Sequence, residues 1–238
     1  MTKPALYYPT SVFFLILILC GSPEIVKASP VFTIAFTQDP VDKQILLNGR
    51  IWRNQYSKVT GNQFFLTDNY IKGSVTFNGR RFDNLDLKYD IYSDELILSI
   101  GSHPVIFLNK EMTDSFSLGS GNRTYYIINA GTDTMNVLKG FVNLLYKGPS
   151  ALYVKYIKKI QPQADEGKYD LFYQEHVVYL RKDSGIVLVK GKRKLFKLLE
   201  DKKKEIRDYL KTAGIRVSQK DPFTFIPLLQ FYDSIIKQ

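Results

Sequence analysis

The chain has 238 residues and a formal net charge of +10, and 45% of its residues are hydrophobic and 14% aromatic. This composition is typical of a packed globular protein and argues against an intrinsically disordered one. The single cysteine, Cys20, and the two histidines, His103 and His176, disfavour a disulfide framework, a thiol nucleophile and a structural zinc site.

Residues 1–28 predict a cleavable secretion signal. The apolar run Val12–Leu19 is about half the ~20 residues that a membrane-spanning helix needs, which is typical of a signal core. Val26–Ala28 then places small or modest residues where a signal peptidase cuts, so we expect the mature protein to begin at Ser29. One alternative is an uncleaved amino-terminal anchor. A second is a lipoprotein acylated at Cys20, which is disfavoured because Leu19 stands where lipoproteins have a small residue.

Residues 29–190 predict an antiparallel β sandwich or barrel-like body, because apolar runs alternate with turn residues throughout. Two Asn-Gly pairs, Asn48-Gly49 and Asn78-Gly79, predict type I′ hairpin turns, since both residues tolerate positive φ. The apolar phase shifts by one residue after the second pair, which predicts a β-bulge at Asp83-Asn84. A turn is predicted at Ser93-Asp94-Glu95. Further strands are predicted for Val105–Leu108, Thr124–Ile128, Val137–Tyr146, Ala151–Ile160, Leu171–Leu180 and Ile186–Lys190.

Residues 191–238 predict an appendix of amphipathic helices packed on the β body, so the predicted fold class is α+β, mainly β. A first apolar stripe at helical spacing stops at Gly214, with Asp201 as the cap of a second short helix. Thr224 is predicted as the N-cap of the last helix, with Pro227 inside its first turn. The first stripe contains Leu195, Phe196, Leu198, Leu199, Ile206, Tyr209 and Leu210, and the face of the last helix contains Phe225, Leu228, Leu229, Tyr232, Ile235 and Ile236.

Several segments resemble a group of uncharacterised exported proteins of the Bacteroidota. They are LNGRIW at 47–52, GSVTFNG at 73–79, YDIYSDE at 89–95 and the tail segments Lys194–Gly214 and Asp221–Ile236. The resemblance implies a location outside the cytoplasm, in the periplasm, at the outer membrane or at the cell surface. Its motifs consist of turn and strand residues, so it implies no activity and no functional residue.

The positive charge is concentrated near the carboxyl end. Between Lys190 and Lys220 the sequence has 12 basic and four acidic residues, a local charge of +8, whereas the preceding body is nearly neutral. Such a segment predicts binding to an anionic envelope surface or to another envelope protein, and export disfavours nucleic acid as the partner. The alternative is a solvated helix face that only keeps the protein soluble. The candidate binding residues are Lys190, Lys192, Arg193, Lys194, Lys197, Lys202, Lys203, Lys204, Arg207 and Lys211.

The sequence indicates no catalytic residues, no metal ligands and no cofactor. Asp86 and Asp90 lie four residues apart, or about 13 Å along a strand, which is too far for the carboxylate pair of a glycosidase. With Lys88 between them, they predict a solvated strand face. His176 lies beside Glu175, but no Gly-x-Ser-x-Gly motif accompanies it.

Two functional hypotheses remain open from the sequence. The favoured one is a non-enzymatic exported protein of the cell envelope, a binding or structural module with a basic carboxyl-terminal patch. The alternative is a hydrolase that acts on envelope polymers or glycans through carboxylates assembled by the fold. An outer-membrane barrel is disfavoured, because several predicted strands are shorter than the ~9–11 residues that such strands need.

Overall fold

The computed structural model describes residues 40–131, 133, 136–163, 169–183 and 185–236. They lie within Gln38–Gln238, the larger of two units in the chain. The predicted signal at 1–28 and the predicted start of the mature protein at Ser29 lie outside the described residues.

Ten strands and three α-helices make up the described chain. The strands are β1 (Ile71–Phe77), β2 (Arg80–Asp90), β3 (Glu95–Ser99), β4 (Ile106–Phe107), β5 (Thr113–Ser120), β6 (Arg123–Asn129), β7 (Phe141–Lys147), β8 (Ala151–Gln161), β9 (Leu171–Lys182) and β10 (Gly185–Leu188). The α-helices are α1 (Lys192–Leu198), α2 (Lys203–Thr212) and α3 (Ile226–Ile235). Short 3₁₀ helices occupy Pro40–Asn48, Glu200–Lys202 and Pro222–Phe225.

All ten strands belong to one antiparallel sheet in the order β10-β9-β8-β7-β6-β5-β1-β2-β3-β4. Each of the two series β1–β4 and β5–β10 is a meander, and the pairing of β1 with β5 joins them. The strands change to helices between Leu188 and Lys192. The predicted fold class, mainly antiparallel β with carboxyl-terminal helices, is confirmed.

The sheet curls on itself, so that the β2–β3 end meets β7 and β8. The backbone N–H of Lys158 in β8 donates to the carbonyl of Ile91 at 3.1 Å, and the hydroxyl oxygen of Tyr89 lies 3.3 Å from the carbonyl oxygen of Phe141. Aromatic rings fill the space inside the curl, where edge-to-face contacts between ring edges and ring faces are favourable. They belong to Phe65, Tyr89, Phe116, Tyr125, Phe141 and Tyr156.

The β1–β2 hairpin has the predicted turn and the predicted bulge. Phe77 pairs with Arg80, and Asn78 and Gly79 have φ of 47° and 75°, as a type I′ turn requires. After the regular pair of Val75 with Phe82, β2 places both Asp83 and Asn84 opposite a single residue of β1. Asn84 has φ of 55°, so the bulge absorbs the phase shift that the apolar pattern shows.

We expect Gly79→Val to lower the free energy of unfolding by more than about 1 kcal/mol, because a β-branched residue is strained at positive φ. Denaturant unfolding followed by circular dichroism measures this loss. Gly119→Val is the matched control: this glycine lies in β5 at ordinary φ, and a side chain there meets no atom within 4 Å. Equal stability of the two variants would contradict the assignment of the turn.

Other local predictions are wrong. Asn48-Gly49 forms no hairpin, because Asn48 ends a 3₁₀ helix. Gly49 lies so close to the carbonyl of Phe107 that any side chain at this position would overlap it. Strand β5 was not predicted, because its sequence TDSFSLGS has only Phe116 and Leu118 as large apolar residues. The predicted strand at Val137–Tyr146 begins four residues later, at Phe141.

Two predicted helix caps are also wrong. Asp201 caps nothing, because its carboxylate accepts hydrogen bonds from Lys182 at 2.8 Å and from the hydroxyl of Tyr232 at 3.0 Å. The last helical segment is capped by Asp221, whose side chain accepts from the N–H of Phe223, and not by Thr224. Pro227 does lie in the first turn of α3, as predicted.

The helices pack on the sheet through a shared core. Leu195, Leu199 and Ile206 are fully buried, as are Phe225 and Leu228, and all belong to the same apolar cluster as the strand residues. At the end of the last helical face, Ile235 is half-buried and Ile236 exposed. In the described residues, no helix is both long enough and apolar enough to cross a membrane.

Candidate functional site

A groove of about 890 Å³ lies along α1, α2 and the residues that follow α2. We call it the basic groove. This volume falls within the range of about 300–1,000 Å³ that is typical of ligand sites. The groove is lined by Lys192, Arg193, Phe196, Lys197, Glu200, Lys203, Arg207, Leu210, Lys211 and Ile215.

The floor of the basic groove is apolar, and the end of α2, with the residues that follow it, contributes Leu210 and Ile215. Gly214 has φ of +65°; the N–H of Ile215 donates to the carbonyl of Leu210 at 2.9 Å, and that of Gly214 donates to Lys211 at 3.3 Å. This pair of bonds is a Schellman motif, which brings the residue after the glycine against the helix. Leu210 and Ile215 therefore lie side by side, and Phe196 from α1 completes the floor.

Two stripes of positive charge border this floor. On α1, Arg193 and Lys197 are four residues apart, and on α2, Lys203, Arg207 and Lys211 repeat this spacing. Residues at this spacing lie on the same face of a helix, and like charges there repel by a few tenths of a kcal/mol per pair. Within the described residues, none of these five side chains forms an ion pair or a hydrogen bond. Among the described residues, no ion pair therefore compensates the charge of these five side chains.

The ten predicted binding residues divide into two groups. Six line the basic groove, namely Lys192, Arg193, Lys197, Lys203, Arg207 and Lys211, and all six are exposed. The other four, Lys190, Lys194, Lys202 and Lys204, lie outside it; Lys202 is half-buried and the rest are exposed. The groove contains one carboxylate, that of Glu200. The sequence therefore predicted the basic residues but not their division around a groove.

The apolar floor was missed in part. Phe196 was expected to pack wholly against the β body, yet it is half-exposed in the groove, and Ile215 was not considered. The sequence does contain a signal that could have identified Ile215. An apolar residue that follows a helix-terminating glycine, here Gly214, commonly contacts an apolar residue in the last turn of the helix.

No family model, curated protein or solved structure matches this chain.

Asp86 and Asp90, which the sequence places too far apart for a glycosidase pair, both have structural roles. Asp86 forms an ion pair with Lys72 at 2.9 Å. The prediction that Asp90 lies on a solvated face is wrong, since this residue is only 2% exposed. Its carboxylate accepts hydrogen bonds from the N–H groups of Tyr92 and Ser93 and so stabilises the β2–β3 turn. Burial raises the pKa of Asp90. Its cross-strand neighbour is Glu95.

The two histidines and the acidic residues form no metal site among the described residues: no three His, Cys, Asp or Glu side chains are placed to share an ion. His103 is exposed in a turn. The Nε2 atom of His176 lies 2.7 Å from the carbonyl of Gln219 and ties β9 to the segment before α3.

A second cluster of charged groups surrounds Asp94 in the β2–β3 turn. Its carboxylate accepts hydrogen bonds from Lys155 at 2.6 Å, from Lys110 at 2.7 Å and from the hydroxyl of Tyr89 at 2.6 Å. Burial lowers the pKa of Lys155, and the carboxylate beside it opposes that shift. Each of these groups has a protein partner, and the cluster joins the β2–β3 turn to β7 and β8 across the interior of the curled sheet.

Proposed function

We propose that this protein is exported to the cell envelope and binds anionic surfaces there, without catalysis, through the basic groove. The observation that carries the proposal is the groove itself: six basic side chains and one acidic side chain face a common concave space of about 890 Å³. The first 28 residues support export, because they carry the pattern of a secretion signal.

The charge arrangement favours a ligand over a merely solvated face. Solubility requires net charge but no particular order of charges. Here Lys203, Arg207 and Lys211 follow one another at a spacing that destabilises the helix, although Glu205 and Asp208 are available on the same helix and pair with none of them. An anion in the groove would remove this repulsion.

The test compares two triple variants that remove the same charge. In Lys203→Gln/Arg207→Gln/Lys211→Gln the groove loses three cations, whereas Lys194→Gln/Lys202→Gln/Lys204→Gln removes three basic residues outside it. A basic residue near an anionic membrane contributes about 1 kcal/mol, less as salt screens it. We therefore expect the first triple to bind vesicles of phosphatidylglycerol and phosphatidylcholine about tenfold to a hundredfold more weakly than the wild type, measured by co-sedimentation.

The control triple should lose clearly less, and wild-type binding should weaken steeply as salt rises. The groove triple should be as stable as the wild type or slightly more stable, because two like-charge pairs on α2 are removed. Its melting temperature separates lost binding from lost folding. Equal losses in the two triples would indicate a diffuse charge effect, and absence of wild-type binding at low salt would leave the solvated-face interpretation.

A further inference from the structure

We infer that the basic groove binds one anionic amphiphile, with its phosphate or carboxylate head between the cations and its hydrocarbon chain on the apolar floor. This inference rests on the proposed function and names the ligand class. A surface that only docks on a charged membrane needs cations alone, whereas this groove also presents Phe196, Leu210 and Ile215.

Two of the three floor residues, Phe196 and Ile215, lie outside the buried core, whereas Leu210 belongs to it. The helices already pack on the sheet through other apolar residues, since Leu195, Leu199 and Ile206 are fully buried. Phe196 and Ile215 pack against that core and remain half-exposed. Covering such surface with a hydrocarbon chain is favourable by about 25 cal/mol per Å².

The cations stand where a head group would need them. Lys192 of α1 carries its ammonium 5.8 Å from the centre of the Phe196 ring, so positive charge lies directly beside the apolar floor. Arg207 and Lys211 line the groove together with Leu210 on the same helix. A ligand with charge at one end and hydrocarbon at the other satisfies both features at once.

Other occupants fit less well. A second copy of this chain in a symmetric pair, with groove against groove, would bring the same cations against these cations, which repel. Free phosphate would satisfy the charge but leave the floor exposed to water. An acidic polypeptide would satisfy the charge without an obligatory apolar part, and it is included in the test below.

The experiment measures the affinity of the purified protein for hexyl, octyl and decyl phosphate below their aggregation concentrations, with inorganic phosphate and polyglutamate as the other probes. Isothermal titration calorimetry gives the dissociation constants. We expect affinity to rise by up to about threefold for each added methylene, as expected for a buried chain, and inorganic phosphate and polyglutamate to bind more weakly than decyl phosphate.

Phe196→Gln and Ile215→Gln should abolish most of this chain-length dependence, because each replaces an apolar side chain of the floor with a polar one. Ile236→Gln is the matched control, because Ile236 is 40% exposed at the end of α3 and lies outside the groove. Melting curves of each variant show that the fold is retained.

The outcomes separate the two proposals. Salt-sensitive vesicle binding with no chain-length dependence would overturn the amphiphile inference and leave the proposed function standing, as would tighter binding of polyglutamate than of decyl phosphate. Chain-length dependence without vesicle binding would support the amphiphile inference and overturn docking on surfaces. Absence of binding to every probe at low salt would overturn both.

Discussion

Replacing Asp94 with alanine should lower the free energy of unfolding by about 3 kcal/mol or more. The carboxylate of Asp94 is the common partner of the Lys155 and Lys110 ammonium groups, whose side chains are only 16% and 23% exposed. Removing one member of such a pair leaves a charge in a poorly solvated site, which costs about 3–5 kcal/mol when burial is complete. Here two ammonium groups lose the carboxylate that they share, and among the described residues each keeps only a backbone carbonyl as hydrogen-bond acceptor.

The matched control is Asp86→Ala. Asp86 also lies in the β2–β3 hairpin region and also pairs with a lysine, but the side chains of Asp86 and Lys72 are 40% and 60% exposed. Exposed ion pairs contribute about 0–1 kcal/mol. Urea unfolding of both variants measures the difference; a loss in Asp94→Ala no larger than in Asp86→Ala would show that the cluster does not hold the curled sheet together.

The stability of Asp94→Ala should also depend on pH in a defined direction. Burial lowers the pKa of Lys155 below 10.5, against the attraction of Asp94, so removing Asp94 lowers this pKa further. Between the folded and unfolded pKa values the unfolded chain binds more protons, and stability therefore rises with pH. We expect the deficit of the variant relative to the wild type to shrink as pH rises from 7 towards 10.5.

Local signals of high specificity predicted the β1–β2 hairpin well. Asn78-Gly79 requires positive φ at two successive positions, and the phase shift between Phe82 and Leu85 has one economical explanation, a bulge. The hairpin turn predicted at Asn48-Gly49 is absent because a tertiary contact determines the conformation there. Gly49 is needed for a close approach to the carbonyl of Phe107, a contact between residues 58 positions apart that no local pattern records.

The curl of the sheet was not predictable from strand patterns. Alternation predicts which face of a strand is buried but not which strands face one another across the interior. The carboxylate of Asp94 meets Lys155 from β8, 61 positions along the chain, and the sequence showed Asp94 only as a turn residue. Strand β5 was not predicted for a different reason. Serine and threonine occupy many of its positions, so its apolar pattern is weak, and the strand forms because its backbone pairs with β1 and β6.

The basic groove was predictable in composition and not in shape. Charge counting finds the segment from Lys190 to Lys220, and helical spacing finds the stripe that ends in Leu210. The groove forms where α1, α2 and the residues after α2 come together, and their placement depends on tertiary packing, in which Leu195, Leu199 and Ile206 share one core with the sheet. Six of the ten basic residues line the groove, while Lys194 and Lys204 lie outside it.

The second large effect concerns the attachment of α3 to the sheet. Asp233 is only 4% exposed, and its carboxylate accepts hydrogen bonds from the hydroxyl of Tyr146 at 2.9 Å and from the N–H of Ser150 at 3.1 Å. Burial, followed by this hydrogen bond, raises the pKa of Tyr146 to about 12. The carboxylate of Asp233 thereby joins the last helix to β7 and to the loop that follows it.

We expect Asp233→Ala to lower the free energy of unfolding by about 2–4 kcal/mol, because a hydrogen bond to a charged group contributes about 1.5–3 kcal/mol and the buried N–H of Ser150 is left without a partner. Asp208→Ala, an exposed aspartate on α2, should change stability by less than about 0.5 kcal/mol. Chemical unfolding measures both.

Tyr146→Phe then separates the two bonds that Asp233 accepts. Its loss should be smaller than that of Asp233→Ala, since Ser150 keeps its partner, and the double variant should lose less than the sum of the two single losses because they share one hydrogen bond. Hydrogen exchange adds a positional readout: amide protection in Ile226–Ile235 should fall in Asp233→Ala before protection in β1 and β2 changes. A uniform loss of protection across the chain would instead mean that α3 unfolds only together with the sheet, and that Asp233 stabilises the whole fold and not the docking of one helix.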